Sequence, residues 1–189
     1  MPLARGPVVL REWQTGEVET LYRLVTEAQD SLRLWMPWAA GEYTQADAAT
    51  FIVRSAENRA AGEVYSYAII VDGVPVGTAG MERNEVPDAL EIGYWLHPAH
   101  TGHGYATIAA GLLVDEAFTL PWVARVQIWH DVANTASAAI PRRLGFTEVA
   151  RRSPPREPAF GGEAGIDVIW ELRSPPRRLG GAPRGSPCV

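Results

Sequence analysis

The chain has 189 residues, 47% hydrophobic and 21% charged, with a formal net charge of −5, which suits one globular domain with a real core and argues against nucleic acid as the main partner. No apolar run reaches bilayer length, and the opening MPLARGPVVLREW lacks the charged-then-apolar order of a secretory leader, so a cytoplasmic location without a membrane partner is expected. All 17 basic residues are arginine and the one cysteine is Cys188, which excludes a P-loop lysine, Schiff-base lysine chemistry, an intrachain disulfide framework and a Cys-rich zinc site.

Val8-Val9-Leu10-Arg11-Glu12-Trp13 reads as a first strand, and Val18, Leu21, Tyr22 and Val25 then recur at helical spacing. LWMPWAAGEY interrupts with Pro37 and Gly41 and carries two tryptophans. Thr44 with Asp47 has the form of a capping box. It opens a second helix through Ala48, Phe51, Ile52 and Ser55 that stops near Gly62. VYSYAIIVDGVPVGTAGMERNEVPDALEIGYWL then gives strand, Asp72-Gly73 turn, strand, a turn at Pro87-Asp88, and strand: an antiparallel meander. After HPAHTGHGYAT, the run YATIAAGLLVDEAF is a helix with Ala106, Ala109, Leu113 and Ala117 on one side. ARVQIWHD is the next strand. NTASAAIPRRLGF is a short helix with Gly145 at its end and a kink expected at Pro141. TEVARR and AGIDVIWEL are the last strands, joined by a Pro/Gly-rich loop.

The expected order is β-α-α-β-β-β-α-β-α-β-β. This is a single α/β domain over residues 1–173, with a mixed, mostly antiparallel seven-stranded sheet and helices on both faces. Residues 174–189, SPPRRLGGAPRGSPCV, are expected to form a disordered tail.

HPAHTGHGYAT, residues 97–107, holds three of the four histidines. A metal site would need His97, His100 and His103 to converge, but Gly102 and Gly104 break the segment and no carboxylate or thiol lies close in sequence. A Rossmann fingerprint would need a third glycine or alanine where Thr107 stands, after a parallel strand rather than a meander. A plain surface turn before a helix is a third reading. The fourth is an anion site: strand, glycine-spaced loop and helix N-terminus in succession present unpaired N–H groups and a positive helix dipole without any lysine.

Thr101-Gly102-His103-Gly104-Tyr105-Ala106 resembles the (Gln/Arg)-x-x-Gly-x-(Gly/Ala) acyl-CoA signature of the GNAT superfamily of N-acyltransferases. EIGYWLHPAHTGHGYAT, NTASAAIPRRLGF and DVIWEL resemble its RimJ/RimL-like branch, which acetylates N-terminal amines of ribosomal proteins and many other amines. The resemblance runs from Val8 to Leu172. Thr101 departs from it, removing the long polar side chain that usually stands in the pyrophosphate loop.

The resemblance implies an acyl-CoA-dependent N-acyltransferase that uses acetyl-CoA or another acyl-CoA and no metal. A primary amine of a protein N-terminus or a small molecule attacks the thioester directly in a ternary complex. The coenzyme then lies along Thr101, Gly102, His103, Gly104, Tyr105, Ala106 and Thr107. Main-chain groups of Trp95 and Leu96 hold the pantetheine arm and Asn134 contacts it, although capping the helix alone would account for an asparagine there. Arg142 and Arg143 are candidates to reach the 3′-phosphate, with solvated surface charge an equally good reading of each. Ser137 stands near the sulfur. Trp35, Trp38 and Tyr43 shape the acceptor mouth. Pairing of the last two strands across a homodimer is a further analogy.

Alternation puts Leu90, Ile92 and Tyr94 on one face and Glu91, Gly93 and Trp95 on the other. Glu91 then looks into the groove opposite the core, where it accepts the amine's proton or orients the cation. A solvent-exposed or cross-strand-paired glutamate is the plainer reading. Gly93 is a place for a bulge. Glu82 and Asp131 end strands and are candidates to bind a cationic acceptor. His130 reads as a packed, neutral histidine. A non-catalytic sensor of CoA or a nucleotide is the alternative function.

Overall fold

Caps, tight turns and period-two alternation set the elements of the computed structural model, which describes residues 2–174. Apart from Ser174, the expected tail lies outside those residues. β1 (Leu3–Arg5) turns back through Gly6-Pro7 onto β2 (Val8–Arg11). α1 (Val18–Leu32) buries Leu21, Leu24, Val25, Ala28 and Leu32, a stripe at helical spacing. α2 (Gln45–Ala61) opens on the reciprocal Thr44–Asp47 capping box and stops at Gly62, whose φ of +73° ends the helix.

β3 (Val64–Val71), β4 (Val74–Arg83) and β5 (Ala89–Leu96) form the meander. α3 (Tyr105–Ala117) crosses from β5 to β6 (Arg125–Asp131). α4 (Thr135–Arg143), β7 (Thr147–Arg152) and β8 (Asp167–Arg173) complete the chain. The strands lie in the order β1-β2-β3-β4-β5-β6-β8-β7. The sheet therefore has eight strands rather than seven. The extra one, β1, is three residues with no buried position, too short for alternation to reveal.

Alternation along β3 divides the molecule into two cores. Tyr67, Ile69 and Val71 join Leu10, Met81, Leu90 and Ile92 under α3, whose Ala109, Ala110, Leu113 and Ala117 pack there. Ala68 and Ile70 face the other way, under Leu21, Val25 and Ala28 of α1 and Ala48 and Ile52 of α2. Burying a leucine such as Leu21 or Leu113 contributes about 1.5–3 kcal/mol.

Every neighbouring pair of strands is antiparallel except β5 and β6. Those two pair in parallel only over Ala89–Glu91 and Arg125–Gln127. Beyond these rungs they part, leaving the main chain of Gly93–Leu96 facing a gap. The expected bulge at Gly93 is absent, because β4 and β5 stay in register from Gly77↔Leu96 to Arg83↔Leu90. Divergence from β6, not a bulge in β5, makes the opening.

Candidate active site

Two cavities meet over β5. The larger, about 810 Å³, is the cleft between the parting strands. Its strand wall is Glu91–Leu96, its mouth is Thr101, Gly102 and Gly104–Thr107, and its far wall includes Asn134, Ser137 and Arg143. The smaller, about 640 Å³, lies toward α2, with Trp38, Tyr43 and Glu82 in its wall. Met36, Glu91, Gly93, Tyr94 and Trp95 line both. Gly93 lies where the two meet, and a Cβ built there stands in open space with nothing within 4 Å.

The mouth is built by local chemistry. Pro98 starts a short 3-10 turn, and the His97 ring accepts a hydrogen bond from the Ala99 amide at 3.2 Å. The Thr101 hydroxyl donates back to the Pro98 carbonyl at 2.8 Å. Gly102 and Gly104 both have φ +81°, which favours glycine over residues with a side chain. Gly104 is the N-cap of α3 and supplies no side-chain cap. The first helical bond runs from the Ile108 amide to the Gly104 carbonyl at 3.0 Å. The amides of Tyr105, Ala106 and Thr107 thus lie at the cleft with the positive end of the helix, and no acidic residue occupies that first turn. This cradle fits a diphosphate.

The His103 ring stacks on Tyr105, with centroids 5.3 Å apart, and does not line the cleft, so only its main chain is at the loop. His97 and His100 meet edge to face at 6.0 Å. Among the described residues, no group of three or more His, Cys, Asp or Glu is placed to hold a metal ion.

At the deep end of the cleft, the Asn134 side chain caps α4 by accepting from the Ser137 amide at 3.0 Å. The Ser137 hydroxyl lies 3.1 Å from the Tyr94 hydroxyl, which also approaches the Ser137 carbonyl at 3.5 Å. Pro141 explains the second contact. It has no N–H to give the carbonyl four residues back, and Tyr94 comes to it instead. Burial pushes the Tyr94 pKa up to about 12, against the opposing pull of its bond to Ser137. Alternation assigns Tyr94 to the core, and it does pack there. What the pattern does not reveal is that the departure of β6 exposes its tip to the cleft.

Glu91 faces the groove opposite Leu90 and Ile92, as alternation requires, but it is not free. Arg156, from the loop between β7 and β8, grips it through two hydrogen bonds of 2.8 and 2.9 Å. The same guanidinium lies 4.5 Å from the Trp129 ring centroid. With the partners 65 positions apart, no local signal announces the pair. Glu82 stands directly opposite Glu91 in the β4–β5 register.

Trp35 and Asp131, both expected at the acceptor, lie at the larger cleft. Trp35 lines the larger cleft and not the smaller cavity. Asp131 is buried, and its carboxylate accepts from the amides of Ala133, Ala164, Gly165 and Ile166 at 2.8–3.1 Å. It ties the end of β6 to the β7–β8 loop, and the residue also lines the larger cleft. His130 is buried beside it: Nε2 accepts from the Trp170 indole at 2.9 Å, so Nδ1 carries the proton and donates to the Asp131 carbonyl at 2.7 Å. That is a packed ring. Arg142 lies over Trp170, leaving Arg143 at the cleft.

A cleft between parting strands, closed at its mouth by a glycine-started helix, defines a class: the acyl-CoA-dependent N-acyltransferases. The family model described as Acetyltransferase (GNAT) domain matches residues 8–147, and the chain belongs to that family. The Bacillus subtilis (strain 168) protein named "Putative ribosomal N-acetyltransferase YdaF" is 28% identical over 147 residues, 75% of this chain and 78% of its own. Among solved structures, RimL, a ribosomal L7/L12 alpha-N-protein acetyltransferase in complex with coenzyme A, has a TM-score of 0.83 at 19% identity, over 92% of this chain and 98% of that one. The microcin C7 self immunity acetyltransferase MccE, in complex with acetyl-CoA and AMP, has a TM-score of 0.82 at 22% identity, over 90% and 94%. At these identities the two structures speak for the fold. Among the described residues, no helix is long and apolar enough to cross a membrane.

Proposed function

We propose that this N-acetyltransferase takes acetyl-CoA in the larger cleft and passes the acetyl group to the primary amine of a protein N-terminus, which enters by the smaller cavity. The observation that carries the reading is the meeting of the two cavities over Glu91, Gly93, Tyr94 and Trp95. A thioester and an amine can approach there from opposite sides, as direct attack in a ternary complex requires. The names of the YdaF and RimL proteins support a protein N-terminus as acceptor.

In this reading the Gly102–Thr107 main chain holds the diphosphate, Arg143 the 3′-phosphate, and Asn134 with the Trp95 and Leu96 main chain the pantetheine arm. Ser137 and Tyr94 donate to the departing sulfur. Trp38 and Tyr43 form the acceptor wall, with Glu82 and Glu91 receiving the cationic amine. The working unit is residues 1–173, placed in the cytoplasm. A homodimer would form through the last strands, where β7 is the sheet edge with Val149 half exposed.

The test is release of coenzyme A thiol from acetyl-CoA in the presence of peptides with free or blocked N-termini and of small primary amines. Thiol release with free peptides, together with an N-terminal acetyl group by mass spectrometry, is expected. Turnover with small amines alone would move the acceptor class. Coenzyme binding with no thiol release from any amine would favour a non-catalytic sensor.

A further inference from the structure

Glu82 and Glu91 form a direct cross-strand pair on the wall of the smaller cavity, yet their surroundings differ. The Glu91 side chain is 12% exposed, and both its oxygens are taken by Arg156. Arg156 is fixed in turn by Trp129 below its guanidinium and by its own amide, which donates to Asp167 at 2.7 Å. A fork-on-fork pair favours the carboxylate and makes it a poor resting place for a proton. The Glu82 side chain, by contrast, makes no hydrogen bond or ion pair among the described residues, and the residue lines the smaller cavity.

We infer that the two acids divide the work: Glu82 takes the proton from the acceptor ammonium, while Glu91, held by Arg156, is a positioning residue that orients the amine. The inference rests on the smaller cavity being the acceptor site.

The charges around Glu82 suit this role. Burial in the cavity wall raises its pKa, the Glu91 charge raises it further, Arg156 opposes and Glu157 adds a little. Tyr94 on β5, Asp47 and Arg54 on α2, and Glu42 before α2 also line the cavity. A carboxylate with a raised pKa is a better proton acceptor near neutral pH.

The proton count closes. The ammonium gives one proton to the Glu82 carboxylate. The freed lone pair bonds to the thioester carbon as the carbonyl electrons move to oxygen. The carbonyl re-forms, the carbon–sulfur bond breaks, and the sulfur takes a proton from the Ser137–Tyr94 hydroxyl pair. That pair is refilled by the second amine proton. Amide and thiol leave, and Glu82 returns its proton to water.

The test is kcat against pH for the wild type, Glu82→Gln, Glu82→Asp, Glu91→Gln and Glu157→Gln, with acetyl-CoA and a free-amine peptide, alongside calorimetric coenzyme A affinity. Glu82→Gln is expected to lose roughly 10²-fold in kcat and the whole acidic limb, with coenzyme affinity unchanged. Glu82→Asp keeps the limb at reduced kcat. Glu91→Gln keeps it and raises the acceptor KM. A Glu82→Gln enzyme that retains the limb, or a limb erased by Glu91→Gln or Glu157→Gln instead, overturns the division of labour. A wild type that releases thiol with no amine overturns the acceptor-site reading beneath it.

Discussion

Tyr94 and Ser137 share one small region with Pro141, and the three explain one another. A proline in the second turn of α4 leaves a carbonyl without its helical donor, and the Tyr94 hydroxyl settles between that oxygen and the serine hydroxyl. A phenol whose pKa is held at about 12 stays protonated throughout the working range. It can therefore give a hydrogen bond to a departing thiolate at any pH where the amine is reactive. Tyr94→Phe is expected to lower kcat by about 10²-fold, the low end of what one positioned acid contributes, with coenzyme affinity within a few-fold of wild type. The wild-type kcat is expected to show no alkaline limb from this group below pH 10. At this scale the sequence disclosed side but not company. Alternation placed Glu91 in the correct groove and Leu90 and Ile92 in the core, because the strand is regular. Arg156 was invisible, because only the return of the β7–β8 loop brings it to Glu91.

The loop and first turn of α3 behave as one element, assembled from a 3-10 turn, two left-handed glycines and an uncapped helix start. Its motif was readable because backbone conformation at Gly102 and Gly104 depends on local residue type. The fate of the Thr101 hydroxyl was not: it closes the turn on Pro98, so the diphosphate would be held by main chain alone. Restoring a long cationic side chain with Thr101→Arg is expected to tighten coenzyme A binding several-fold. The gain should shrink in high salt, since a charge-assisted contact at an open mouth is screened; isothermal calorimetry at two ionic strengths reads both effects. Short elements were the least legible: β1 carries too few residues to show a period, and glycine at position 93 suggested a bulge where the register is unbroken.

Across the whole molecule, Asp131 joins the end of β6 to the segment that delivers Arg156. Burial alone would raise its pKa, but four backbone amides outweigh that and hold it below the ordinary aspartate value. The folded chain thus binds this proton less readily than the unfolded chain does. The carboxylate's contribution is complete above the unfolded value of about 3.9 and fades as pH falls through the lower folded one. Asp131→Asn is expected to lower thermal stability at neutral pH by about 1–3 kcal/mol, the usual cost of poorly satisfied buried amides. The difference from wild type should narrow on acidification, as thermal unfolding at pH 7 and pH 3 would show. A meander followed by a crossover was foreseeable from the order of elements, but the point at which β5 and β6 part was not, since strand order does not say where neighbours cease to touch.

That parting of β5 from β6 has a thermodynamic side. The sheet is joined at its middle by three rungs, and beyond them β5 lines one side of the cleft and α4 the other. A ligand that contacts both walls of the cleft does more than occupy a slot, because its binding free energy adds to the stability of the folded chain. Coenzyme affinity is therefore readable as a gain in resistance to unfolding.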